Sequence, residues 1–142
     1  MKTMILLSLM ALAQFASGQN DLLKPYRWEN RIVLLFGSPS DASVQKQLAE
    51  LKKDPAGMAD RDLLVFHVDK KETRLINPSS NPELSAKQLR SRYNKGKNTF
   101  RYILIGKDGG VKLNEREFVA NTRLFSIIDA MPMRQREMRE KK

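Results

Sequence analysis

The chain has 142 residues, 41% of them hydrophobic and 30% charged, with a net charge of +10 and no cysteine. That balance excludes a disordered or fibrous chain and fits one domain with a core of its own. The absence of cysteine excludes disulfides, thiolate metal sites and every thiol-based reaction.

Residues 1–18 read as a secretory signal peptide. Lys2 supplies the positive start. Met4 to Ala13 is an apolar run too short to span a bilayer, and Ala16 and Gly18 precede a cut ahead of Gln19. A hydrophobic first helix of the core is the other reading, and Gln14 and the small residues suit it less. No Cys follows the cut, which excludes a lipoprotein anchor, and no later run is long enough to cross a membrane. The expected product is exported, periplasmic or secreted, with a domain over 19–132 and a basic tail over 133–142. Loss of Lys2 takes the net charge from +10 to +9. A strongly basic exported chain is drawn to anionic surfaces; the expected partners are an anionic polymer, a membrane surface or a protein.

Three apolar runs, 32–36, 63–68 and 100–105, are rich in branched and aromatic residues and predict buried strands. After the first, Asp41 caps a predicted helix whose inner face carries Val44, Leu48 and Leu51, with Pro55 and Gly57 ending it. Residues 69–81 read as a polar surface loop. A second helix is predicted with Asn81 as cap and Pro82 first, its inner stripe being Ala86, Leu89 and Tyr93. Gly106 to Gly110 predicts a hairpin turn into a strand at 111–113. A last helix covers 121–131, Pro132 kinks or restarts the chain, and 133–142 reads as a solvated tail.

Strands joined through helices are expected to pair parallel, with the final hairpin adding an antiparallel pair. The result is an α/β class protein: a thioredoxin-like three-layer sandwich, its mixed sheet ending in a C-terminal β-hairpin and helix.

Several stretches carry a family resemblance: Tyr26-Arg-Trp-Glu-Asn-Arg31, Asp60 to Phe66, Leu104 to Lys112, and Leu124-Phe125 through Ile128-Asp129 to Met131-Pro-Met-Arg134. Together they resemble the DUDES-type domain of unknown function. That domain occurs in exported bacterial proteins and in animal sushi-repeat-containing matrix proteins. The resemblance implies a thioredoxin-like fold related to peroxiredoxins and export, with no established activity.

In such a fold the reactive site lies between the first strand and the first helix, here Gly37-Ser38-Pro39-Ser40-Asp41. Serine stands where redox chemistry needs a thiol, and a hydroxyl cannot cycle through sulfenic acid or disulfide. Asn98-Thr99 also replaces the proline that lines a thioredoxin's peptide groove. A non-thiol enzyme using Ser38, Ser40 or Asp41 would need a base, and His67 is the single histidine. His67 alternates with Leu63 and Val65, which suits a core residue. Asp60, Asp62 and Asp69 lack metal-ligand spacing, so neither metal nor cofactor is expected. Asp60-Arg61-Asp62 reads as local ion pairs and turn hydrogen bonds. Lys107-Asp108-Gly109-Gly110 opens no helix and so reads as a hairpin, not a phosphate cradle.

The binding candidates are Arg27, Trp28 and Arg31 near the start, and Arg134, Arg136 and Arg139 in the tail. Trp28 is expected to pack over the sheet edge. Specific nucleic-acid recognition is not expected. The leading expectation is a non-catalytic exported binding or adaptor module for an anionic partner. The alternatives are the non-thiol enzyme and a structural matrix-type protein.

Overall fold

The structure, a computed structural model, describes residues 21–76, 79–80 and 82–141. The expected signal peptide, its cut site and the expected cap Asn81 lie outside the described residues. A short 3-10 turn, Lys24–Tyr26, precedes β1 (Arg31–Phe36). Then come α1 (Ala42–Leu51), α2 (Pro55–Asp60), β2 (Leu63–Val68), β3 (Thr73–Ile76), β4 (Ser79–Ser80) and α3 (Ala86–Tyr93). The chain continues through β5 (Arg101–Ile105), β6 (Val111–Glu115), α4 (Asn121–Asp129) and α5 (Pro132–Glu140).

All six residues of β1 are buried, because side chains alternate across a sheet covered on both faces. Val33 and Leu35 join Tyr102, Leu104, Val44, Leu51, Met58, Leu124 and Ile128 in one core, under α1, α2 and α4. Ile32, Leu34 and Phe36 join Phe66, Ile103, Ile105, Leu23, Ala86 and Leu89 in the other, under α3 and the N-terminal turn. Each large apolar side chain so buried contributes roughly 1.5–3 kcal/mol. The sheet order is β4-β3-β2-β1-β5-β6. Its centre, β2-β1-β5-β6, is the expected thioredoxin-like arrangement in a three-layer α/β sandwich.

Five expectations need correction. β5 runs antiparallel to β1, with Phe36 opposite Arg101 and Ile32 opposite Ile105. Arg90 Nη1 donates to the carbonyl of Asp69 at 3.0 Å, and Asn98 Nδ2 to the Asp69 carboxylate at 3.4 Å. The chain therefore enters β5 at the end where it left β2, and must run back. The expected loop contains β3 and β4, with Phe66, His67 and Val68 paired antiparallel to β3.

Helix α3 starts later than expected, because Ser85 accepts the Gln88 N–H at 3.2 Å and so caps it. Pro55 does not end α1; it begins α2, where Asp54 accepts the Gly57 N–H at 2.8 Å. Residues 133–141 of the expected tail are no frayed segment. Pro132 restarts the chain as the first residue of α5, and Arg134 within it is buried, so a domain boundary at 132/133 would cut a packed helix.

Candidate functional site

The loop from β1 to α1 holds no assembled catalytic group among its described residues. Gly37 has φ +136, and a Cβ there would lie 2.5 Å from Val44 Cγ2, so side chains already fill the space behind the turn. Ser38 Oγ and Ser40 Oγ are 2.8 Å apart, and the Ser40 N–H reaches Ser38 Oγ at 3.3 Å. Asp41 accepts the Ser43 N–H at 2.8 Å and so caps α1 as expected. His67 is 4% exposed, and its Nε2 lies 2.8 Å from the Gly37 carbonyl. A carbonyl only accepts, so Nε2 carries the proton and cannot draw one from a serine. The two hydroxyls and the imidazole thus serve the turn and the sheet.

The opposite end of β1 carries the densest charge. Arg31 is 1% exposed. Its Nη1 and Nη2 donate to the two oxygens of Glu137 at 3.1 and 3.2 Å, and Nη1 also to the Arg61 carbonyl at 3.0 Å. Lys107 Nζ bridges Glu137 at 2.7 Å and Asp62 at 2.9 Å. Arg134, 2% exposed, donates to Asp129 at 3.0 Å and to the Asp60 carboxylate at 2.6 Å. Arg61 forks onto Asp129 at 3.1 and 2.9 Å and lies 3.9 Å over the Phe125 ring. Lys141 closes the set on Asp60 at 2.8 Å. The ion pairs of Asp60-Arg61-Asp62 are therefore not local, their partners lying on α4, α5 with its cap, and the β5–β6 turn; the expected turn hydrogen bonds do form, Arg61 Nη1 donating to the Gly57 carbonyl at 2.9 Å.

These contacts set the protonation states. The ammonium of Lys141 and the guanidinium of Arg134 hold the Asp60 carboxyl down at about 2. Burial pushes Glu137 up, but hydrogen bonds from Arg31 and Lys107 outweigh it and leave the carboxyl below its ordinary value. Asp129 is lowered in the same way, burial being outweighed by Arg61 and Arg134. Burial alone would lower Lys107; Asp62 and Glu137 reverse that and raise it.

Two of the six binding candidates are therefore buried structural residues. Arg31 and Arg134 clasp α5 to the sheet and offer no guanidinium to a partner at the surface. Arg27 pairs with Asp21, while Arg136 and Arg139 are exposed on α5. Trp28 corrects its expectation, being 61% exposed. Its backbone has φ +69 and its N–H donates to the Lys107 carbonyl at 2.7 Å, an anchoring that leaves the indole outside. Tyr26 takes the packing role instead, edge-on to Phe66 at 5.5 Å.

Sequence reasoning passed over the largest concentration of exposed positive charge. Residues 69–97 hold eight Lys and Arg against three Asp and Glu, a net +5 out of the chain's +10. Lys70, Lys71, Arg74, Lys87, Lys95 and Lys97 are exposed. Arg90 bonds the Asp69 and Lys70 carbonyls and so fastens α3 beside the β2–β3 turn. The signal lay in the charge count, hidden by the reading of 69–81 as loop and of the tail as the main basic segment. Among the described residues no three His, Asp or Glu side chains converge as metal ligands. No described helix is long and apolar enough to cross a membrane.

Fold and loop together define a thioredoxin-like α/β domain without a thiol at its strand–helix turn. The chain belongs to the family described as domain of unknown function DUF4174, whose model matches residues 22–137. No curated protein matches it. Among solved structures it is similar to a thioredoxin-fold protein from Helicobacter pylori, at 16% identity and a TM-score of 0.49, covering 71% of this chain and 68% of that one.

Proposed function

We propose that the chain is an exported, non-catalytic thioredoxin-like module that binds an anionic polymer of the envelope or extracellular space. The basic face of α3 and the β2–β3 turn is the contact. The observation that carries this reading is where the exposed charge sits. The C-terminal cations Arg134 and Lys141 are engaged with carboxylates, whereas Lys70, Lys71, Lys87, Lys95 and Lys97 are exposed around α3. Clustered exposed cations attract a polyanion by releasing its counterions, a force that needs no cleft. The signal-peptide layout of residues 1–18 and the DUDES-type motifs support export and extracellular work. The non-thiol enzyme is the weaker reading, because His67 Nε2 is engaged by a backbone carbonyl.

Binding of the chain from Gln19 onward to fluorescein-labelled polyglutamate, followed by anisotropy across salt concentrations, tests the contact. Affinity should fall steeply between low and physiological salt. The triple variant Lys71→Glu, Lys87→Glu, Lys97→Glu should bind at least about tenfold more weakly at low salt with unchanged circular dichroism. Salt-independent affinity, or wild-type affinity in the variant, rejects the basic face as the contact. Terminal sequencing of the product from expressing cells tests export: Gln19 should be the first residue, and an uncut cytoplasmic chain refutes it.

A further inference from the structure

We propose that the hollow between α1 and the loop after β6 binds a free aromatic amino acid as its zwitterion. The hollow encloses about 150 Å³, and an apolar cavity of about that size admits one benzene ring. Its lining is Ser43, Lys46, Phe100, Arg116, Glu117 and Phe118. Phe118, 38% exposed, and the half-buried Phe100 are its two aromatic walls. Rings prefer offset or edge-on contact with other rings, so an aromatic side chain gains more here than an aliphatic one.

The walls are held before any ligand arrives. Gln47 bonds both backbone groups of Val119 at 2.8 Å, which ties the chain beside Phe118 to the helix that carries Ser43 and Lys46. Lys46 Nζ lies 4.5 Å from the centroid of the Phe118 ring. The Phe100 backbone lies 3.6 Å from where a Cβ on Gly37 would stand, so the hollow opens beside the β1–α1 turn. Binding to parts already in place costs less ordering.

The charged lining carries both signs, and neither is matched. Lys46, Arg116 and Glu117 are exposed, and none of them makes a hydrogen bond or an ion pair among the described residues. The pole around Arg31 is the opposite case, its cations already holding carboxylates. A ligand that answers this lining joins an anion, a cation and a ring in one small molecule. Its carboxylate goes to Lys46 and Arg116, its ammonium to Glu117, and its ring between Phe100 and Phe118. An acid without the amine would meet Glu117 as a like charge, and an amine without the acid would meet two cations. Helices α1 and α3 cover opposite faces of the sheet, and the hollow shares no residue with the basic face of α3, so either site can fail without the other.

Titration of the chain from Gln19 onward with phenylalanine, followed by backbone amide NMR, tests the proposal. The amides of Ser43, Lys46, Arg116, Glu117 and Phe118 should shift together along one saturating curve while those of α3 stay in place. Glycine, which lacks the ring, should bind at least about tenfold more weakly. Phenylalaninamide and N-acetyl-phenylalanine each keep one charge and should bind at least about threefold more weakly. Two exposed substitutions read the two ends separately. Glu117→Gln should weaken phenylalanine without weakening N-acetyl-phenylalanine. Arg116→Gln should weaken phenylalanine without weakening phenylalaninamide. No saturating shift, shifts centred on another element, or wild-type affinity for phenylalanine in both variants would overturn the proposal. So would glycine or either blocked compound binding as tightly as phenylalanine, the acetylated one because the site would then take the C-terminus of a peptide.

Discussion

Gln47 behaves as a piece of strand carried on a helix. It is fully buried on α1, where its Nε2 donates to the Val119 carbonyl and its Oε1 accepts the Val119 N–H, both at 2.8 Å. One side-chain amide satisfies both backbone groups of a residue 72 positions away. Gln47→Ala removes both partners at once and opens a cavity. The expected loss is about 2–4 kcal/mol by urea denaturation, and a loss below about 0.5 kcal/mol would contradict the account. Gly37→Ala should cost stability by a separate route, about 1–3 kcal/mol. It forces a side chain into a left-handed backbone and against Val44. The sequence offered no local mark for Gln47, because helical spacing flags apolar faces and its partner is remote. His67 was legible: its alternation with Leu63 and Val65 placed it inside, and inside it lies.

Helix α5 is held by charge rather than grease, which is why hydrophobic periodicity missed it. Met133 and Met138 share no stripe, whereas Arg134, Glu137 and Lys141, spaced three and four apart, face Asp60, Asp129, Arg31 and Lys107. Arg134→Ala leaves Asp60 and Asp129 with fewer partners. Because both acids are partly exposed, the expected loss is about 1–3 kcal/mol, read by thermal melts. Acid should release the same helix. Asp60, Asp129 and Glu137 all have folded-state carboxyls below their ordinary values, so their contribution is full above those values, 3.8 for Asp and 4.5 for Glu. It fades as pH falls through the folded values, about 2 for Asp60. Amides of α5 should therefore lose exchange protection between about pH 4.5 and 2 while those of β1 keep it. Simultaneous loss in both elements would count against an ionic clasp. The three central strands were readable because branched apolar runs have few other uses. The direction of β5 was not, since it depends on where residues 69–99 travel.

At the scale of the whole molecule, positive charge is divided by use. One pole binds cations into carboxylates to hold α5, and beside α3 Lys70, Lys71, Lys87, Lys95 and Lys97 stand exposed. Raising the salt should therefore act twice. It should weaken polyanion binding steeply and shift the melting temperature only slightly, because buried pairs such as Arg31 with Glu137 are screened less than exposed ones. A melt as salt-sensitive as the binding would show the clasp to be a surface effect. Composition announced the basic character and the absence of a thiol, but which cations are buried in ion pairs emerges only from the fold. Arg31 opens the first strand and Glu137 sits one turn from the end of the last helix, yet their side chains meet at 3.1 Å. Entry and exit are thus neighbours, and a unit with adjoining ends can be spliced into a larger polypeptide, or strung in series like beads, without stretching what flanks it.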